Sequence, residues 1–129
     1  MFRIIKASEA EIAERTDLAG KVTQALIATG FTVHQDMDQP AVALGALVGV
    51  DPADDSGGGV FVQWLIDPSL SRAAAESAQK GEIQSQAFRH FSFVTEHMYA
   101  TLIAILGSAG FQAVDADDDV SPYLIRVEG

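Results

Sequence analysis

The stretch "GFQAVDADDDVSPYLIRV" (residues 110–127) has the pattern of a strand, an acidic turn and a second strand. Eighty residues earlier, "GFTVHQDMDQPAVALGALV" (residues 30–48) has the same plan. Sliding the chain on itself by that distance superposes Leu26 on Leu106, Gly30 on Gly110, Phe31 on Phe111, Asp38 on Asp118 and Leu44 on Leu124. Glycine ends helices in the left-handed conformation, Asp bonds its own backbone in turns, and Pro40 cannot extend a ladder. Two helix-plus-hairpin units are therefore predicted, over residues 20–50 and 100–129. Caps and turns converge on these residue types for physical reasons, so the identities are compatible with duplication without requiring it.

Upstream of the first unit, Ser8 and Glu11 have the spacing of a capping box. Ile12, Leu18, Val22, Ala25 and Leu26 then recur at helical spacing up to Gly30. "FRII" (residues 2–5) is a short β-prone run available to a sheet edge. Within "AVALGALVGV" (residues 41–50), Val42, Leu44, Ala46, Val48 and Val50 share one strand face. Ala41, Ala43, Gly45, Leu47 and Gly49 form the other face, which is nearly all small. Such a face admits another backbone closely: the protein's own helix first, otherwise a partner subunit or a ligand.

"DPADDSGGG" (residues 51–59) is loop chemistry; it lacks a P-loop lysine and runs into a β-pattern, which favours a hairpin loop over a phosphate cradle. "VFVQWLID" (residues 60–67) is apolar on both faces, as a central strand would be, with Trp64 in the core. Asp67 or Ser69 can cap a helix through "SLSRAAAESAQ", and Gly81 breaks it. From Ile83 onward Ala87, Phe88, Phe91, Val94, Met98, Leu102, Ile105 and Ala109 trace the stripe of a central packing helix.

The fold class that follows is α+β: one domain over residues 1–129, with a mainly antiparallel five- to six-stranded sheet covered on one face by helices. Strands are expected near residues 31–36, 41–50, 59–67, 111–115 and 122–128. At 129 residues, with 48% hydrophobic and 20% charged side chains, the chain suits a single core. The longest nearly apolar run, residues 98–111, is shorter than the ~20 residues a spanning helix needs. The start of the chain shows no signal-peptide pattern and there is no cysteine, so a cytoplasmic protein is expected; its Ala, Gly, Asp and Val richness suits a bacterial genome. Eight basic against eighteen acidic residues give a net charge of −10, which disfavours nucleic-acid backbones and anionic membranes as direct partners.

Chemistry-bearing residues are sparse. "DADDDV" (residues 115–120) opens like a calcium loop, but Val120 stands where an EF-hand needs Gly and Arg126 where it needs Glu. Asp115, Asp117 and Asp119, joined by Asp36 and Asp38 if the two turns converge, are the candidate divalent-cation ligands; otherwise no cofactor is expected. His90 and His97, seven apart, lie nearly in line on the long helix, a spacing less suited to zinc than three or four. Glu96 and Arg89 stand near His97 and Tyr99, but charges on a helix usually form its wet face. There is no cysteine nucleophile, no Gly-x-Ser-x-Gly elbow and no Gly-x-Gly-x-x-Gly loop, which points away from an enzyme. Trp64, Phe91, His97 and Tyr99 are the candidate lining of a ligand-binding concavity.

The order of helix, three strands, helical segment and two strands in a small acidic chain is similar to that of the type III secretion chaperone type of fold. The resemblance covers element order alone, and the final helix usual in that family has no counterpart here. It implies a small dimer that holds partner chains. The expected function is a non-enzymatic interaction or ligand-binding module, homodimeric because one helix layer leaves apolar sheet uncovered, with another protein as a further partner. The alternatives are a metal-dependent or acid/base enzyme using the Asp-rich turns, and an acidic inhibitor that mimics nucleic acid.

Overall fold

A computed structural model describes residues 6–35, 44–54, 58–119 and 121–129. Ser8 starts helix α1 (Glu9–Ala28): its Oγ accepts from the Glu11 amide at 3.2 Å, and Glu9 and Glu11 place negative charge on the first turn. Helix α2 (Pro68–Gln79) is capped by Asp67, whose Oδ1 accepts from the Ser69 amide and hydroxyl at 2.8 and 2.6 Å, with Pro68 pre-set for the first turn. Helix α3 (Gln86–Ser108) begins at Ser85, whose Oγ accepts from the Phe88 amide. Ile83 therefore precedes the helix and is exposed.

All three helices end alike. Gly30, Gly81 and Gly110 take positive φ. Their amides donate to the carbonyls of Ile27, Ala78 and Gly107, and the following residues' amides donate to Leu26, Ser77 and Leu106. These are Schellman caps. The coincidence of Leu26–Gly30–Phe31 with Leu106–Gly110–Phe111 is thus cap geometry, shared in backbone form by α2 as well.

Among the described residues the strands are β1 (Val33–Gln35), β2 (Gly45–Asp51), β3 (Gly59–Leu65), β4 (Gln112–Asp115) and β5 (Ile125–Glu128), in the sheet order β1-β2-β3-β5-β4. The sheet is mixed: β1 runs parallel to β2, with Val33 opposite Ala46, and the remaining pairs are antiparallel. This corrects the expectation of two similar helix-hairpin units. The second unit is a hairpin, with Gln112 opposite Glu128, while the first is a parallel pair. Pairing with β3 along all of β2, from Gly45↔Leu65 to Asp51↔Gly59, fixes the direction of β2, and the short β1 joins its free edge. Gly45 makes that junction possible: its φ is +115°, the Ala46 amide donates to the Thr32 carbonyl, and a Cβ at residue 45 would collide with that oxygen.

The strand run at residues 2–5 lies outside the described residues, though Lys6 bridges antiparallel to Ala53. Arg15 of α1 donates to the Asp51 and Ala53 carbonyls, tying that helix to the end of β2.

Val22 and Leu26 of α1, Leu102 and Leu106 of α3, and Ala46, Val48, Val60, Val62, Ile125 and Val127 of the sheet make one core. Both helices lie on this face, and α2 packs along α3 through Ala74. The face of β2 expected to receive a helix, that of Gly45, Leu47 and Gly49, is the one opposite the core: the helices contact the Ala46–Val48 side, which offers more apolar volume. Of the stripe traced along α3 only Leu102 is fully buried; the helix's other fully buried residue is Leu106, next to the expected Ile105. The helix's amino-terminal half meets α2 and a cleft instead. No helix among the described residues is long and apolar enough to cross a membrane.

Candidate functional site

The cleft opens between α3, β3 and the turn leading into β5. Phe91, Thr95 and Tyr99 recur every fourth residue on α3 and so share one side of the helix. Trp64 comes from the end of β3 on the core side, where it meets the edge of Phe31 with centroids 5.8 Å apart. Tyr123 is brought over by the register of β5 on β3, Val62 opposite Ile125. These residues, with Gln63 of β3, line a concavity of about 300 Å³.

Two hydroxyl–carboxylate bonds fix the tyrosines. Tyr99 Oη donates to Asp115 Oδ2 at 2.7 Å, and Tyr123 Oη donates to Glu96 Oε1 at 3.3 Å. The rings meet edge to face, with centroids 5.5 Å apart. The bond to Asp115, then burial, then the Asp115 charge push the Tyr99 hydroxyl up to about 12. Burial and then Glu96 raise Tyr123. In return, the Tyr99 hydroxyl and the Asp117 amide hold Asp115 below the usual carboxylate range.

A general acid or base works best with a pKa near the operating pH, and here phenol and carboxylate are driven apart, away from neutrality. At neutral pH this pair is a fixed donor and a fixed anion. It holds the walls of the cleft in place.

No protein-family model, curated protein or solved structure matches the chain. The geometry of the cleft is therefore what bears on function.

Of the residues singled out as a candidate lining, Trp64, Phe91 and Tyr99 come together at this cleft and His97 stands apart from it. Two residues along a helix is about 200° of rotation, so His97 and Tyr99 face nearly opposite directions. His97 Nδ1 donates to the Phe93 carbonyl at 2.8 Å and its ring stacks on the exposed Phe93 ring, 3.7 Å between centroids. His90 and Arg89 are exposed on α3 as well. Tyr123, Gln63 and Thr95 join the lining without a place among the residues expected there. The four-residue spacing of Phe91, Thr95 and Tyr99 is the available signal for Thr95.

In the acidic turn, both oxygens of Asp115 are engaged, Oδ2 by Tyr99 and Oδ1 by the Asp117 amide at 2.6 Å. Asp117 takes a φ of 55°, Asp118 Oδ1 accepts from the Ser121 amide, and Asp117 and Asp119 are exposed. This is Asx-turn chemistry. Among the described residues no group of three or more His, Cys, Asp or Glu side chains is placed to hold a metal ion. Asp36 and Asp38 lie outside the described residues.

Proposed function

We propose that the protein is a non-enzymatic ligand-binding module whose binding site is the aromatic cleft between α3, β3 and the turn before β5. The observation that carries this reading is the convergence of Trp64, Phe91, Tyr99 and Tyr123, from three separate elements, on one concavity of about 300 Å³. Binding sites for small molecules are concave, mostly apolar and furnished with a few placed polar groups, here Thr95 and Ser121. The tyrosine pKa shifts support binding over proton transfer, since they move away from neutrality.

Trp64 is the sole tryptophan, so its emission reports directly on the cleft. A panel of neutral, cationic and anionic small aromatic and aliphatic compounds is expected to contain members that shift Trp64 emission and raise the melting temperature together, because ligands that bind only the folded state stabilise it. Tyr123→Leu should shift both responses to markedly higher ligand concentrations in a protein that remains folded by circular dichroism. A panel that leaves emission and melting temperature unchanged would remove the reading.

A second reading concerns the sheet face opposite the helices, where Phe61, Leu65 and Val114 lie around Arg126, whose guanidinium stands over the Phe61 ring, and Val114 is 52% exposed. Two copies of the chain meeting through this face would cover it in an isologous dimer.

A further inference from the structure

The ligand's chemical class is legible in what lines the cleft and in what stands behind it. We propose that the cleft takes an organic cation, a quaternary or methylated ammonium group seated among Trp64, Phe91, Tyr99 and Tyr123. The proposal rests on the ligand-binding reading of the cleft and goes further by naming the charge and type of ligand.

Aromatic faces carry negative potential, and a cation near the faces of several rings is attracted by all of them. The structure strengthens that potential at two rings. A phenol that donates its proton to a carboxylate shifts electron density toward its ring, and both tyrosines of the cleft do so, Tyr99 to Asp115 and Tyr123 to Glu96. The two carboxylates also place negative charge just outside the ring wall, within a chain whose net charge is −10. Among the described residues that line the cleft none is basic, so nothing there would receive an anion.

The lining also separates an organic cation from a metal ion. No carboxylate side chain is part of it, and the two that stand beside it, Asp115 and Glu96, each already accept from a tyrosine of the lining, Asp115 from the Asp117 amide as well. Calcium and magnesium need several oxygen ligands in exchange for their water. A methylated ammonium group is weakly hydrated and spreads its charge over methyl surfaces, so rings can replace its water at little cost. A neutral apolar ligand would gain the same burial but none of the attraction.

The test compares choline with its neutral isostere, in which carbon replaces the quaternary nitrogen, each titrated against Trp64 emission with the melting temperature as a second readout. Choline should bind about tenfold more tightly than the isostere. Tyr123→Leu should weaken choline by a similar factor. Asp115→Asn keeps an acceptor oxygen for the Asp117 amide but removes the carboxylate to which Tyr99 donates; it should weaken choline several-fold more than the isostere, so that the ratio of the two affinities falls. If the isostere binds as tightly as choline, the cation class is wrong while the cleft remains a binding site. If choline perturbs neither Trp64 nor the melting temperature, the proposal falls, and the broader compound panel decides separately whether the cleft binds anything. If sodium ions shift Trp64 emission as choline does, the attraction is general to the acidic chain and the proposal also falls.

Discussion

Tyr99 and Asp115 set the chemistry of the cleft through one hydrogen bond, and its consequences for titration can be worked out. The Tyr99 pKa is raised from 10.0 to about 12 in the folded protein, so the folded state holds that proton more tightly. The bond's contribution to stability is therefore complete below pH 10 and is lost as pH rises through about 12. For Asp115 the sign is reversed. Its pKa is lowered from 3.8, first by Tyr99 and then by the Asp117 amide, so the contribution is present above pH 3.8 and is lost as pH falls through the lower folded value. The chain has two tyrosines, so Tyr123→Phe isolates Tyr99. Phenolate absorbance in that variant should rise with a midpoint of about 12, and adding Asp115→Asn should bring the midpoint down toward 10.0. A midpoint already at 10.0 before Asp115 is changed would show that the bond does not persist in solution. In acid, urea unfolding of the natural chain should show a stability loss below pH 3.8 that Asp115→Asn reduces, the carboxylate being the group that titrates.

At the scale of elements, glycines divide into those the fold requires and those it tolerates. Gly45 combines a φ of +115° with a Thr32 carbonyl lying where its Cβ would go, so Gly45→Ala should destabilise the protein by about 2 kcal/mol or more and loosen the β1–β2 pairing. Gly20 sits inside α1, where a Cβ would meet nothing within 4 Å. There Ala should stabilise by about 0.5–1 kcal/mol, since Gly in a helix interior carries an entropic cost. Denaturant midpoints read both effects, and equal shifts in the same direction would refute the assignment. The same division explains what the sequence disclosed. Ser8, Asp67, Gly30, Gly81 and Gly110 act through bonds a few residues away, so the helix limits were legible, as were the strands around Val48, Val62 and Val114 from short β-prone runs set between turn and cap residues. The direction of β1 was not, because it depends on an edge that β2 presents only after pairing with β3. Trp64, Phe91 and Tyr99 could be named as aromatic residues near one another, and the helical period alone separates His97 from Tyr99. Tyr123 was beyond reach because the β5 register on β3 carries it to the cleft.

For the molecule as a whole, the core occupies one face of the sheet and the charge is one-sided. The Glu11–Arg15 and Asp17–Lys21 pairs on α1 are i,i+4 contacts that contribute only tenths of a kcal/mol each. They leave the net charge of −10 in place, so two copies approaching through the Phe61–Val114 face would repel at long range and attract at contact. Salt separates the two terms. The Debye length shortens from about 14 Å to about 4 Å between about 50 mM and about 500 mM ionic strength, which removes repulsion between the copies while leaving apolar burial intact. A dimer joined through this face should therefore tighten with added sodium chloride in sedimentation equilibrium, whereas one joined by ion pairs should weaken. Val114→Glu would add a carboxylate to each side of the interface at a position already 52% exposed, so it should cost the monomer little and shift the equilibrium strongly toward monomer. A chain that stays monomeric at micromolar concentration at both salt levels has no use for the face as a self-contact, and a dimer indifferent to Val114→Glu is joined elsewhere.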